Sequence, residues 1–135
     1  MNTQTDYNQQ ALDFLKTTGT TFKAKYFEHD YYFDGDKDRR DIYKITLKNS
    51  NGSYTFKFGQ SITNSGAANR VEPTAYDVLS CLTKYDIGGY EDFVSEFGYE
   101  FGPSSKRIYN AVVKEFDNVS RLFTDEQIEA LQEIQ

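Results

Sequence analysis

The hydrophobic residues of this 135-residue chain change their spacing near Val71, and that change limits the folds open to it. From Thr20 to Phe58 apolar and polar residues largely alternate, which is typical of strands with one buried face. After Pro73 apolar residues recur every three or four positions, which is typical of helices that pack by one face. The fold class that these two patterns predict is α+β, with an antiparallel sheet followed by a helical half.

One helix is expected before the sheet, because Ala11, Leu12 and Leu15 recur at helical spacing and Gly19 ends the pattern. Three antiparallel strands should follow. Asn51-Gly52 lies between the last two strands and is a strong hairpin signal, since both residues tolerate a positive φ. The side chains expected on the inner face are Phe22, Ala24, Tyr26, Tyr43, Ile45, Leu47, Tyr54, Phe56 and Phe58.

The chain is short enough for a single domain over 1–135, in which 1–60 form the helix and sheet, 61–72 a polar loop and 73–135 the helical half. About four helices are expected in that half, opened by Pro73, Tyr90, Pro103 and Thr124. Their apolar stripes are Val78, Leu79, Leu82 and Tyr85; Tyr90, Phe93, Val94 and Phe97; Ile108, Val112, Phe116 and Val119; and Ile128, Leu131 and Ile134. Gly98 should cap the second helix, and Thr124 with Gln127 has the form of a capping box.

Charge is distributed unevenly along the chain. Residues 1–71 carry 10 Lys and Arg against 8 Asp and Glu, a net of +2, whereas residues 72–135 carry 5 against 13, a net of −8. The whole chain therefore has a net charge of −6. A surface with two regions of opposite sign attracts other macromolecules by its electrostatic potential.

Residue patterns for catalysis or metal binding are weak. The segment 34–41 begins like a calcium loop, but Arg39 and Ile45 stand where an EF-hand needs Gly and Glu, so a turn is favoured. Cys81 and His29 are single candidates for a nucleophile and a base, and His29 is expected to be exposed. No phosphate-binding loop occurs. The sequence predicts a protein that is not an enzyme and has no metal, cofactor or catalytic residues.

Two charged surfaces remain as candidate binding sites. The first is an acidic group on the second helix of the helical half and its exit, formed by Glu91, Asp92, Glu96 and Glu100, which is placed to imitate nucleic-acid phosphates. The second is the outer face of the sheet, which carries Lys23, Lys25, Lys44, Lys48 and Lys57 and has the charge to follow a phosphate backbone. No aromatic residue is expected among these lysines to stack on bases, so a solubilising face is favoured.

Several segments of the second half resemble small proteins encoded by bacteriophages and prophages. They are Phe58 to Ser61, PTAYDVLSCLTKYD from Pro73, FVSEFGYEF from Phe93 and YNAVVKEFDNVSRLFTDEQIEALQEIQ from Tyr109. The resemblance is spread over residues 58–135, somewhat more than half of the chain, and involves core-pattern residues rather than a catalytic motif. It implies a phage origin, and small acidic phage proteins of this kind include inhibitors of host defence such as anti-CRISPR proteins.

Together these observations predict a non-enzymatic inhibitor that binds a bacterial defence protein, a CRISPR-Cas effector in particular, and blocks its access to nucleic acid. The alternative is a phage accessory protein that binds nucleic acid through the lysines of the sheet. The protein is expected in the cytoplasm of the bacterial host cell without a membrane partner, because no leader pattern and no long apolar stretch occurs. Its oligomeric state is left open.

Overall fold

The helix, the sheet and the helical half appear in the predicted order, and the predicted α+β fold class is confirmed. The computed structural model describes residues 3–33, 38–62 and 71–135, with side chains described for 6–29, 41–60 and 71–135. Its elements are α1 (Thr3–Thr17), β1 (Thr21–Phe33), β2 (Asp38–Asn49), β3 (Gly52–Ile62), α2 (Ala75–Leu79), α3 (Tyr90–Phe97), α4 (Pro103–Leu122) and α5 (Asp125–Gln132). Residues 63–70 of the predicted loop lie outside the described residues, whereas 61 and 62 extend β3.

The three strands form an antiparallel sheet in the order β1-β2-β3. The β2–β3 hairpin closes where Asn49 pairs with Gly52, whose φ of 142° favours glycine. The pairing of β1 with β2 is irregular at two points, one of them between Asp30 and Phe33. At the other, Tyr26 pairs with Tyr43 but Glu28 with Ile42, which leaves Phe27 as an extra residue. This bulge reverses the alternation of β1 beyond that point.

Helices cover the inner face of the sheet and form the core with it. Leu47 of β2, Leu79 of α2, Leu122 of α4 and Leu131 of α5 all have 0% exposure and belong to one cluster, which also includes Ala11 of α1. Burying one such leucine contributes roughly 1.5–3 kcal/mol. The core is therefore shared by the sheet and by both ends of the chain.

The β2–β3 turn also binds the end of α4. The side-chain amides of Asn49 and Asn51 both donate to the backbone oxygen of Leu122, at 3.0 Å and 2.9 Å. The guanidinium of Arg121 donates to the backbone oxygen of Ser53 at 3.0 Å. The last carbonyls of a helix have no partner within the helix, so these asparagines cap α4 from a distant part of the sequence.

The helix boundaries predicted at Tyr90, Gly98, Pro103 and Thr124 are correct, whereas the predicted end of α2 is wrong. Thr124 and Gln127 form the expected capping box, Pro103 begins α4, and Gly98 ends α3 with a φ of 72°. By contrast, α2 ends at Leu79 rather than continuing to Tyr85, because the N–H groups of Cys81 and Leu82 turn back to carbonyls three residues earlier. Leu82 is still buried, as expected.

Candidate functional site

Helix α3 places three of the four predicted acidic residues on its exposed side. Glu91, Asp92 and Glu96 are all exposed, as is Glu100 beyond the helix. Gly89 is the N-cap of the helix, which leaves Glu91 and Asp92 in the first turn, where the helix dipole favours carboxylates. Phe93, on the opposite side of the same helix, is buried. Glu91, Asp92 and Glu96 therefore share the exposed side of α3, and Glu100 is exposed two residues beyond Gly98.

An open apolar pocket of about 530 Å³ lies beside this acidic surface. Its walls come from the segment after α2, from α3 and the residues that follow it, from α4, and from the end of the chain. The residues that line it are Ser80, Leu82, Thr83, Lys84, Tyr85, Ile87, Phe93, Phe97, Tyr99, Ile108, Val112, Gln132 and Gln135. We call this cavity the helical pocket. Its size is in the range of natural ligand and anchor pockets.

The rim of the helical pocket is formed by residues that sequence periodicity assigned to the core. Tyr85, Phe97 and Ile108 belong to the predicted apolar stripes, yet they are 59%, 55% and 41% exposed. Tyr99, at 42% exposure, adds another aromatic ring to the rim. The sequence analysis missed this pocket because periodicity shows which side of a helix is apolar and not whether anything covers it. The signal available was an excess of aromatic residues around Gly98.

Side-chain hydrogen bonds fix the loop that carries Glu100. The Tyr90 hydroxyl lies 2.7 Å from the Ser105 hydroxyl, and the Gly102 N–H donates to the same Tyr90 oxygen at 3.1 Å. The Ser105 hydroxyl in turn donates to the backbone oxygen of Glu100 at 2.6 Å. The hydrogen bond with Ser105 is the main cause that lowers the pKa of Tyr90 below its usual value of 10.0. Glu100 is thus held near the start of α4.

A buried lysine joins the floor of the pocket to the end of the chain. Lys84 is only 7% exposed, and its ammonium group donates to the backbone oxygens of Ser80, at 3.3 Å, and of Ile134. Burial lowers the pKa of Lys84 below its usual value of 10.5. Beside it, the Thr83 hydroxyl donates to the Glu115 carboxylate at 2.6 Å. These polar groups are committed to hydrogen bonds within the protein.

The lysines of the sheet lie on the face opposite the core, as predicted. All five are exposed, and Lys25, Lys44 and Lys57 pair directly with one another across the three strands. Phe27 lies among them, because its ring centroid is 4.4 Å from the Lys44 ammonium and 4.6 Å from that of Lys57. The prediction that no aromatic residue accompanies these lysines is therefore wrong. We call Phe27 and the five lysines Lys23, Lys25, Lys44, Lys48 and Lys57 the lysine face.

His29 and Cys81 occupy different surroundings. The bulge turns His29 to the inner side of the sheet, where its Nδ1 lies 2.8 Å from a carboxylate oxygen of the fully buried Asp41. The expectation that His29 is exposed is wrong for this reason. Cys81 is exposed on the turn after α2 and lies 4.0 Å from the Ser80 hydroxyl. The described contacts do not join the two as a nucleophile and a base.

The calcium-loop resemblance falls largely on Asp34, Gly35, Asp36 and Lys37, which lie outside the described residues. Within the described part of the chain, no group of three or more His, Cys, Asp or Glu residues is placed to hold a metal ion. None of the described helices is long and apolar enough to cross a membrane.

Comparison with known proteins gives no relative for this chain: no family model, no curated protein and no solved structure matches it.

Proposed function

We propose that the protein is a non-enzymatic inhibitor that binds a bacterial defence protein, a CRISPR-Cas effector, and blocks its access to nucleic acid. The observation that supports this proposal most is the open helical pocket beside four exposed carboxylates. A pocket with an aromatic rim accepts an apolar side chain of a partner, the usual anchor of a protein interface. The adjacent carboxylates suit a partner surface rich in Lys and Arg.

The arrangement of α3 explains how one partner engages both features. Phe93 and Phe97 line the pocket, and Asp92 and Glu96 each precede one of them by one residue, about 100° around the helix. A basic groove that normally holds nucleic acid would meet carboxylates where phosphates lie. An apolar residue of the same groove would enter the pocket. Occupation of such a groove excludes nucleic acid without any chemical reaction.

Reversal of the acidic charges on α3 tests this proposal. Glu91, Asp92 and Glu96 are changed together to Lys, and target cleavage by a panel of CRISPR nucleases is measured with the protein in excess. We expect the unmodified protein to inhibit at least one nuclease and to co-purify with it. The triple variant should lose inhibition, mainly through slower association, because peripheral charges act on the rate of encounter.

The matched control changes Asp125, Glu126 and Glu129 of α5 to Lys. It alters the net charge equally and, like the test variant, places two of its changes in the first turn of a helix. Each set should cost a similar stability, of the order of 1–2 kcal/mol. The control should therefore still inhibit. Normal cleavage by every nuclease with none retained on a column would refute the proposal, and so would equal loss of inhibition in both variants.

A further inference from the structure

The lysine face contains an unfavourable arrangement of charge. Lys25, Lys44 and Lys57 stand directly opposite one another on the three strands, where paired Cα atoms are about 4.5–5.5 Å apart. Like charges in directly opposed positions destabilise a sheet. Among the described side chains no carboxylate forms an ion pair with these lysines. A bound polyanion would remove the repulsion, so charge complementarity identifies the kind of ligand that this face fits.

Phe27 adds an aromatic ring to the row formed by Lys25, Lys44 and Lys57. Its ring is 41% exposed and contacts the ammonium groups of Lys44 and Lys57. Neighbouring strands are about 4.8 Å apart, so this contact between β1 and β3 is made above β2, by the ring of Phe27 together with the long side chain of Lys57. The centre of the lysine face is therefore a partly exposed ring with two ammonium groups over it. Proteins that bind single strands combine these two features, cations for the phosphates and a ring for a base.

We propose that the lysine face binds single-stranded nucleic acid, with phosphates on Lys25, Lys44 and Lys57 and one base on Phe27. An unpaired base can stack on an exposed ring of a sheet, whereas the bases of a duplex are stacked on one another and are not open to such a ring. The hydroxyl groups of Thr46 and Thr55 lie in the adjacent row and are within reach of the same strand. This site is separate from the helical pocket and does not depend on the proposed inhibition.

The net charge of −6 does not prevent this binding. Acidic residues of α2, α4 and α5 lie on helices that pack against the inner face of the sheet, opposite the lysine face, and α3 packs against α4. At physiological ionic strength the Debye length is about 8 Å, so exposed charges on the far side of the molecule are largely screened. A single strand approaching the sheet meets mainly the lysines. The one described carboxylate next to Phe27 is that of the exposed Glu28.

The test measures fluorescence anisotropy of a labelled oligothymidine of about 12 nucleotides over a range of salt concentrations. Three phosphate contacts should give a slope of about −2 for the logarithm of affinity against the logarithm of salt. Changing Lys25, Lys44 and Lys57 together to Gln should remove most of the binding and of that slope. The control changes Lys16, Arg107 and Lys114 to Gln, which gives the same net charge away from the sheet, and should bind normally.

A second comparison separates nucleic acid from other polyanions. Phe27→Leu keeps an apolar side chain but removes the ring, so it should weaken oligothymidine binding about tenfold and leave inorganic polyphosphate binding unchanged. Absence of oligothymidine binding at low salt would overturn the proposal. Stronger binding of a duplex than of the single strand would do the same. Equal loss in the two triple variants, or an unchanged affinity of Phe27→Leu, would also contradict it.

Discussion

Lys84 shows how one buried charge can support a helix end. Its ammonium group donates to the backbone oxygens of Ser80 and Ile134, one just beyond α2 and the other just beyond α5. Burial lowers its pKa from 10.5, so the folded protein releases this proton more readily than the unfolded chain does. Between the two pKa values the unfolded chain binds more protons, and the stability that Lys84 contributes therefore rises with pH.

Replacing Lys84 by Met should destabilise the protein by roughly 1–3 kcal/mol at neutral pH, because two carbonyl oxygens lose their donor. The difference in free energy of unfolding between the unmodified protein and the variant should grow as the pH rises toward 10.5. Urea unfolding of both proteins at several alkaline pH values measures this difference. Ionisation of Tyr54, whose pKa is raised by burial and by Glu115, affects both proteins alike and cancels.

Exposed Lys114 provides the control for this experiment, since Lys114→Met should change stability little and equally at every pH. A stability difference for Lys84→Met that shrinks with rising pH would show that the lysine is better stabilised as a cation in the folded protein than in the unfolded chain.

Individual side chains mark the limit of what the sequence could predict. The sequence placed Lys25, Lys44 and Lys57 on one face correctly because strand alternation has a fixed period. It failed for His29, since a bulge at Phe27 depends on how two strands pair and leaves no local pattern. It also treated Phe97 and Ile108 as core residues, because an apolar stripe is the same whether a neighbour covers it or not. The acidic residues of α3 were predictable as exposed, but the pocket beside them was not.

Two glycines beside helix ends differ in whether their backbone conformation requires glycine. Gly98 ends α3 with a φ of 72°, and the N–H of Gly98 and that of Tyr99 both donate to the backbone oxygen of Val94. Only glycine, and to a smaller extent asparagine, adopts this left-handed conformation without strain. Gly102, before α4, has an extended backbone that any residue can adopt. The role of Gly98 was readable from the sequence because a left-handed helix cap depends on local backbone geometry.

We expect Gly98→Ala to lower the free energy of unfolding by about 1 kcal/mol, and Gly98→Asn to lower it by less. Thermal or urea unfolding measures both. Gly102→Ser is the matched control: a Cβ there meets no atom within 4 Å, and serine is a good N-cap, so stability should be unchanged or slightly higher. An equal loss for Gly98→Ala and Gly102→Ser would mean that the conformation at Gly98 is not what ends α3.

The molecule as a whole presents different surfaces on its two sides. The lysine face lies on one side of the sheet, helices α1, α2, α4 and α5 pack on the other, and α3 with its carboxylates packs against α4. The fold class and this separation of charge could be predicted, because alternation and net charge are properties of long segments. The contact between the β2–β3 turn and Leu122 could not, because 71 residues separate Asn51 from its acceptor.

That long-range contact has a consequence for the order of events in folding. The β2–β3 hairpin is local and forms quickly, whereas capping of α4 by Asn51 requires closure of a long segment of chain, which carries an entropic cost. The capping of α4 by Asn51 is therefore expected to form after the transition state of folding.

Asn51→Ala should accelerate unfolding about fivefold, equivalent to about 1 kcal/mol, and leave the folding rate nearly unchanged. Stopped-flow denaturant kinetics measures both rates, with Ser50→Ala on the same turn as the control. Slower folding of Asn51→Ala instead would mean that a newly synthesised hairpin waits for residue 122 before it becomes stable.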